Sequence, residues 1–348
     1  MQELSMWDTR RLGTGASGLA NCGNTCYFNA VIQCLVHNPQ IASLLDTGQY
    51  RLRLSRVNRH ASSVLVEFDK LRNLMWLGNH TVVPNRLLKA IQLAARNANQ
   101  PEFIHFIQSD APEFLGFLMA LFHDAISRRV DMEVTGTPRS ERDRMARRCY
   151  SHLKQEFKSQ WSEFVQLFSG VSVMTLRCAE SGKLYSDKVE CFSVLSLPLC
   201  LGCSSVGQLI AAYTAPESMT GTNAWYDDKS DVHRDAQKRT MFWSLPDVLV
   251  IQLARWTVTN AKSRVVIDFP LDRLDLSQYV VGYRQTEYVY RLDGVCYHHG
   301  GVGGGHYTAA ARNLRGQWRH FDDRVVKAMR CDEICSHDAY LLFYTKKK

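Results

Sequence analysis

The sequence predicts an α+β protein in which a helical lobe faces a β lobe. Through the first half of the chain apolar residues recur at three- and four-residue spacing. The second half breaks into short segments rich in β-branched and aromatic residues, separated by turn formers. With 348 residues, 45% of them hydrophobic and 22% charged, the chain can bury a sizeable core. It is organised either as one large domain with insertions or as two or three subdomains around a shared cleft.

Behind Cys26, the residues Phe28, Val31, Ile32 and Leu35 mark a helix that Asn38-Pro39 stops. A second helix opens at "DAPEFLGFLMALFHD", where Asp110 can cap and Pro112 sits in the first turn. The segment 128–148 mixes seven arginines with four acids and reads as a solvated helix or connector. A third helix is expected through Leu153, Phe157, Trp161, Phe164 and Phe168, ending at Ser169-Gly170. Strands of an antiparallel sheet follow in "VLVIQLARW", "YRLDGVCYHH", "HYTAAARN", "QWRHFDD" and "DAYLLFYT". The polar stretch 218–231 is an exposed loop or hairpin tip.

No apolar run approaches the roughly 20 residues of a membrane span, and the N-terminus lacks a signal-peptide core. An intracellular protein without a membrane partner is expected. Eleven cysteines, odd in number and unevenly spaced, then predict free thiols rather than disulfides. The net charge of +8 is scattered and no aromatic stacking motif accompanies it, so nucleic acid is not an expected partner.

Cys26 stands where a loop meets a helix. A helix N-terminus favours the thiolate and presents unpaired N–H groups that can hold an oxyanion. Asn21, five residues upstream, can add a side-chain amide donor. A thiol nucleophile also needs a base and a group that orients it. His306 follows the glycine-rich stretch in "GGVGGGHYTAAARN", and Asp322 and Asp323 end the next strand, within reach if the two strands form a hairpin. Singly, each feature has an ordinary explanation: a cysteine as a small hydrophobe, a glycine-rich turn, a solvated pair of acids. Together they point to thiol catalysis.

The run "GLANCGNTCYFNAVIQCL" closely resembles the cysteine box of the ubiquitin-specific protease family. The later run "YRLDGVCYHHGGVGGGHYTAAARN…WRHFDDRVV…DAYLLFYT" resembles its histidine box, and "QSDAPEF" and "LPDVLVIQLARW" resemble two landmarks between them. All four occur in family order over residues 18–344. The resemblance implies a papain-like cysteine protease fold with a helical thumb, an antiparallel β palm and β fingers. After an N-terminal extension over 1–17, the catalytic domain would span 18–348, with the thumb at about 18–150 and the fingers and palm at about 151–346.

By the same resemblance Cys26 is the nucleophile, His306 the base and later acid, Asp322 the orienting carboxylate with Asp323 as assistant or substitute, and Asn21 an oxyanion donor. Gln108 and Asp110 would lie near the tail of the substrate, and His298 and Tyr307 would line the channel beside the scissile bond. The implied partners are ubiquitin and ubiquitinated proteins, in the cytoplasm or nucleus. The implied reaction is hydrolysis after the C-terminal glycine of ubiquitin through an acyl-enzyme, without a cofactor. The same chemistry on another ubiquitin-like modifier, a silent ubiquitin-binding scaffold and a nucleic-acid-binding protein are the alternatives. The intact Cys26, His306 and Asp322 speak against the scaffold.

The sequence departs from the family pattern at the fingers. Many members carry two C-x-x-C pairs there, a structural zinc signature. Here Cys178 has Ser181 in place of its partner, and the second pair has no counterpart in "WYDDKSDVHRDAQ", so no metal is expected. A separate "CLGC", Cys200 and Cys203, reads as ordinary thiols.

Overall fold

The structure is a computed structural model that describes residues 14–347 apart from 229, 258, 260, 302 and 303. The expected extension 1–17 therefore lies mostly outside the described residues.

The helix Cys26–Val36 buries all eleven of its residues. A helix apolar on every side belongs inside a core. At its end Asn38 accepts hydrogen bonds from Gln40 N and Ile41 N at 3.0 and 3.1 Å, and so opens the helix Pro39–Asp46 in the act of stopping its predecessor. Arg59–Leu77, Asn85–Asn97 and Ala111–Ile126 pack around it to complete the helical lobe.

The third helix expected from the sequence is two. Glu141–Phe157 starts at a Ser140–Asp143 capping box, and Ser162 caps a separate Glu163–Phe168. Between them Trp161 leaves the helical path to pair with Arg128 through reciprocal 2.9 Å backbone bonds, its ring 4.7 Å from the guanidinium. The apolar spacing runs across the break because Trp161 is still packed, though on a bridge instead of a helix face.

The β lobe is an eight-stranded sheet. Its longest strand, Val289–Gly301, lies between Gly304–Arg312 and Ala339–Lys346. Trp318–Asp322 continues from Gly304–Arg312 as the hairpin the sequence predicted. On the other side Val248–Ala254 pairs with Ala339–Lys346, and Val194–Pro198 adds a parallel edge to an otherwise antiparallel array. Alternation along the strands divides the two faces: Tyr307, Ala309 and Phe321 join the core under the helices, while Tyr297, Ala310 and Tyr344 join a second core on the far side.

A second sheet of Leu184–Phe192, Gly170–Cys178, Ala236–Ser244 and Glu217–Met219 extends from this body, and Ala146 and Cys149 of Glu141–Phe157 pack on it. Its tip is the hairpin Trp225–Asp227 with Val232–Arg234, as expected for 218–231. Tyr185 stacks on Trp225 at 5.2 Å and Arg234 pairs with Asp227 at 3.1 Å.

One expectation is corrected. Cys200 and Cys203 are joined by a disulfide. Gly202, at φ +81°, closes a turn in which Cys203 N donates to Cys200 O at 3.2 Å, which brings the two sulfurs together. The other nine cysteines are free.

Candidate active site

The cysteine loop is tied down at both ends. Gly18–Leu19 pairs in parallel with Thr81–Val82, and Leu19 N donates to Asp323 O at 2.9 Å. Gly23 and Asn24 then take positive φ, +97° and +51°, to turn the chain into the helix at Cys26. The Cys26 side chain is buried, and burial pushes its thiol above the usual cysteine range. Backbone N–H groups of Tyr307, Tyr27 and Cys26 oppose this, and the nearby Asp323 charge adds to it. The helix start alone predicted a lowered value; desolvation outweighs it.

On the strand Gly304–Arg312, His306 Nε2 hydrogen-bonds to Asp322 Oδ1 at 2.7 Å, both side chains half-exposed. The hairpin predicted from the sequence makes this pair. With Nε2 engaged by the carboxylate, Nδ1 is the nitrogen left for a thiol proton.

Asp323 is drawn differently. At φ +49° its carboxylate turns back to the cysteine loop, where Oδ2 accepts from Asn21 Nδ2 at 2.9 Å and Oδ1 from Asn29 Nδ2 at 2.7 Å. Asn21 Oδ1 in turn accepts from Gly23 N at 3.0 Å and Thr25 N at 3.3 Å. The amide that could hold an oxyanion is thus oriented by Asp323. Asn29, one turn after Cys26, was not singled out in the sequence, although its spacing puts it on the same side of the helix as Cys26. His306, Asp322 and Asp323 are also the one group of three potential metal ligands among the described residues. Within it Asp322 is engaged by the His306 ring and Asp323 by the amides of Asn21 and Asn29.

Cys26 opens into a cavity of about 460 Å³ whose walls include Gln108, Asp110, Trp256, His298 and Tyr307, so the four expected substrate-binding residues meet Cys26 in one place. Asp110 does not cap its helix, as its position suggested. Its two carboxylate oxygens instead accept from the hydroxyls of Tyr307 at 2.6 Å and Tyr340 at 2.9 Å. Its carboxyl group is thereby fixed in place in the cavity wall. Glu113, on the next turn, is pushed up first by burial and then by Asp110 and Glu102. His298 lies between Trp256 and Tyr307, with ring centroids 5.8 and 4.6 Å away. Burial, then the charge of Lys262, lowers its pKa to about 4 and keeps the ring neutral.

A family model described as ubiquitin carboxyl-terminal hydrolase matches residues 17–344. The chain belongs to that family. Ubiquitin carboxyl-terminal hydrolase 2 of Bos taurus is 29% identical over 349 residues, covering 95% of this chain and 55% of the relative. Ubiquitin carboxyl-terminal hydrolase 21 of Rattus norvegicus is 30% identical over 365 residues, covering 97% and 62%. The Gallus gallus ubiquitin carboxyl-terminal hydrolase 2 is 30% identical with 95% and 93% covered. The chain thus spans little more than half the length of the mammalian relatives. Among solved structures, the SAGA Ubp8/Sgf11/Sus1/Sgf73 DUB module bound to ubiquitin aldehyde aligns with a TM-score of 0.72 at 23% identity, over 97% of this chain and 70% of that one. That likeness shows the fold, the α+β ubiquitin-specific protease fold expected from the sequence.

Proposed function

We propose that this chain is a thiol deubiquitinase that hydrolyses the bond after the C-terminal glycine of ubiquitin. The observation that carries the reading is the His306–Asp322 pair on the hairpin that walls the cleft into which Cys26 opens. As the tail enters, His306 Nδ1 takes the thiol proton, and Asp322 holds the ring and balances its charge. The thiolate adds to the glycine carbonyl, and the oxyanion is met by the Asn21 amide and the N–H groups of the helix start. Collapse expels the lysine amine, which takes the proton from His306, and leaves a thioester. His306 then deprotonates water, whose attack releases the ubiquitin carboxylate and returns the thiol. No step needs a cofactor.

The substrate follows from charge. A tail that carries arginines and ends in two glycines requires carboxylates at the mouth and a passage too narrow for side chains. Asp110, clamped by two tyrosines in the cleft wall, supplies a carboxylate; the His298–Tyr307 contact supplies the narrow passage. The test is covalent capture by ubiquitin bearing a C-terminal electrophile, beside the same electrophile on other ubiquitin-like modifiers. A Cys26-dependent adduct with ubiquitin alone supports the proposal. An adduct only with another modifier replaces the substrate, and no adduct from folded protein removes the activity.

A further inference from the structure

Lys262 carries a charge that is almost wholly buried. Its side chain is 5% exposed, and its ammonium donates to His298 O and lies 3.4 Å from Asp338 Oδ1. Burial lowers its pKa, opposed by Asp338. Placing a lysine ammonium here costs desolvation that one long ion pair does not repay, so its contribution has to be sought in what it holds together.

It holds two things. Lys262 is on the return limb of a hairpin whose other limb carries Trp256: the two residues are bridge partners, Thr257 N donates to Ala261 O at 3.0 Å, and Ser263 N donates to Arg255 O at 2.8 Å. Trp256 is a wall of the cleft beside Cys26. At the other end, Asp338 is fixed to the sheet. Its Oδ2 pairs with His299 Nδ1 at 2.9 Å, and its carbonyl accepts from His298 N at 2.9 Å. The ammonium therefore ties the Trp256 hairpin to the strand position of His298, the residue Trp256 faces. Arg255, fully buried, secures the base of the hairpin through Ala339 O at 2.6 Å, Ser263 O at 3.2 Å and Val265 O at 2.8 Å.

We propose that Lys262 and Asp338 are positioning residues that set the width of the substrate-tail passage by locking Trp256 against His298. Neither touches the reacting atoms, so their removal acts on tail binding and leaves the chemical step. The proposal rests on the deubiquitinase reading for its substrate, but not for its geometry.

The test uses the full chain with Lys262→Met, Asp338→Asn and Lys262→Arg, read with a fluorogenic ubiquitin C-terminal amide. Lys262→Met and Asp338→Asn are expected to raise KM about tenfold with kcat within about a factor of two, the pattern of lost alignment at the binding stage. Lys262→Arg, which can still reach carboxylate and carbonyl, recovers most of the loss. In a double-mutant cycle with Trp256→Ala, Lys262→Met adds nothing to the KM change, because it acts through that ring. Hydrogen exchange supplies a readout independent of activity: the amides of Thr257 and Ser263 lose protection in Lys262→Met while those of Val248–Ala254 keep theirs. Additive effects in the cycle, or unchanged protection at Thr257 and Ser263, overturn the proposal. General loss of protection reaching Val248–Ala254 assigns Lys262 to folding and overturns it too. If the unaltered protein does not cleave ubiquitin, the functional reading fails and the exchange result still decides the hairpin.

Discussion

Gly305 and His298 occupy positions that exclude a side chain between them: a Cβ on Gly305 would come within 2.2 Å of His298 Nε2 and 2.8 Å of His299 O. The glycine before His306 is required for space, since the ring it would displace is a wall of the cleft. Gly305→Ala should cost about 1–3 kcal/mol through overpacking. Because His298 must move to relieve the clash, the KM for ubiquitin substrates should rise as well. Thermal unfolding and steady-state kinetics on the same preparation check both parts.

The two neighbouring acids should separate by mutation. Asp322→Asn removes the partner of the base, and kcat is expected to fall by about 10²- to 10⁴-fold. Asp323→Asn keeps a residue that tolerates positive φ but puts one oxygen where two amide donors need acceptors. Its effect should run through the oxyanion donor. A single such donor is worth about 10²–10³ in kcat, so Asn21→Ala should show a loss of that size, and adding Asp323→Asn to it should change little further. Additive losses would show that Asp323 acts by another route.

Acid stability carries a signature of His298. Its folded pKa of about 4 lies below the ordinary histidine value near 6.5, so the unfolded chain takes up the proton first as the pH falls. The stability this group contributes is complete above pH 6.5 and drains away between about 6.5 and 4. In His298→Gln the unfolding temperature should decline less steeply over that interval, with the remaining slope left to other buried histidines such as His123 and His320. An unchanged slope would refute the assignment.

The fingertip makes a chemical prediction. Hydrogen bonds from Ser181 and then Tyr185 lower the Cys178 thiol to about 7, while burial holds Cys26 above its usual range. At pH 7.5 iodoacetamide should therefore modify Cys178 ahead of the other free thiols, as peptide mass mapping over time would reveal. Because packing of Tyr185 on Trp225 and the Arg234–Asp227 pair hold this tip, a strong chelator should leave unfolding temperature and activity unchanged. Stoichiometric zinc in the purified protein would contradict that.

Much of the site was legible because local pattern sets it. The apolar spacing behind Cys26 gives the helix that carries it, and the alternation after His306 gives the hairpin that brings Asp322 to the ring. What stayed hidden depends on partners distant in sequence. Asp110 reads as a helix cap until Tyr307 and Tyr340 take both of its oxygens, and Lys262 and Asp338 meet only because the sheet folds one toward the other. The Arg59–Leu77 helix repeats Ala61, Val64, Leu65, Phe68, Leu71 and Met75 at helical spacing, yet it also buries Asp69 and Arg72, which pair at 2.7 Å. The thiol pKa went against the local signal because burial is a property of the whole fold.

The strand Ala339–Lys346 is the last of the sheet to be synthesised, yet it lies inside it, between Val289–Gly301 and Val248–Ala254. Until a ribosome has released those residues, more than 300 after the helix with Cys26, Val248–Ala254 is cut off from Val289–Gly301 and the sheet that carries His306 is divided. Long-range pairing of this kind forms late in folding. The proposed activity therefore requires that strand to be in place before the cleft is complete.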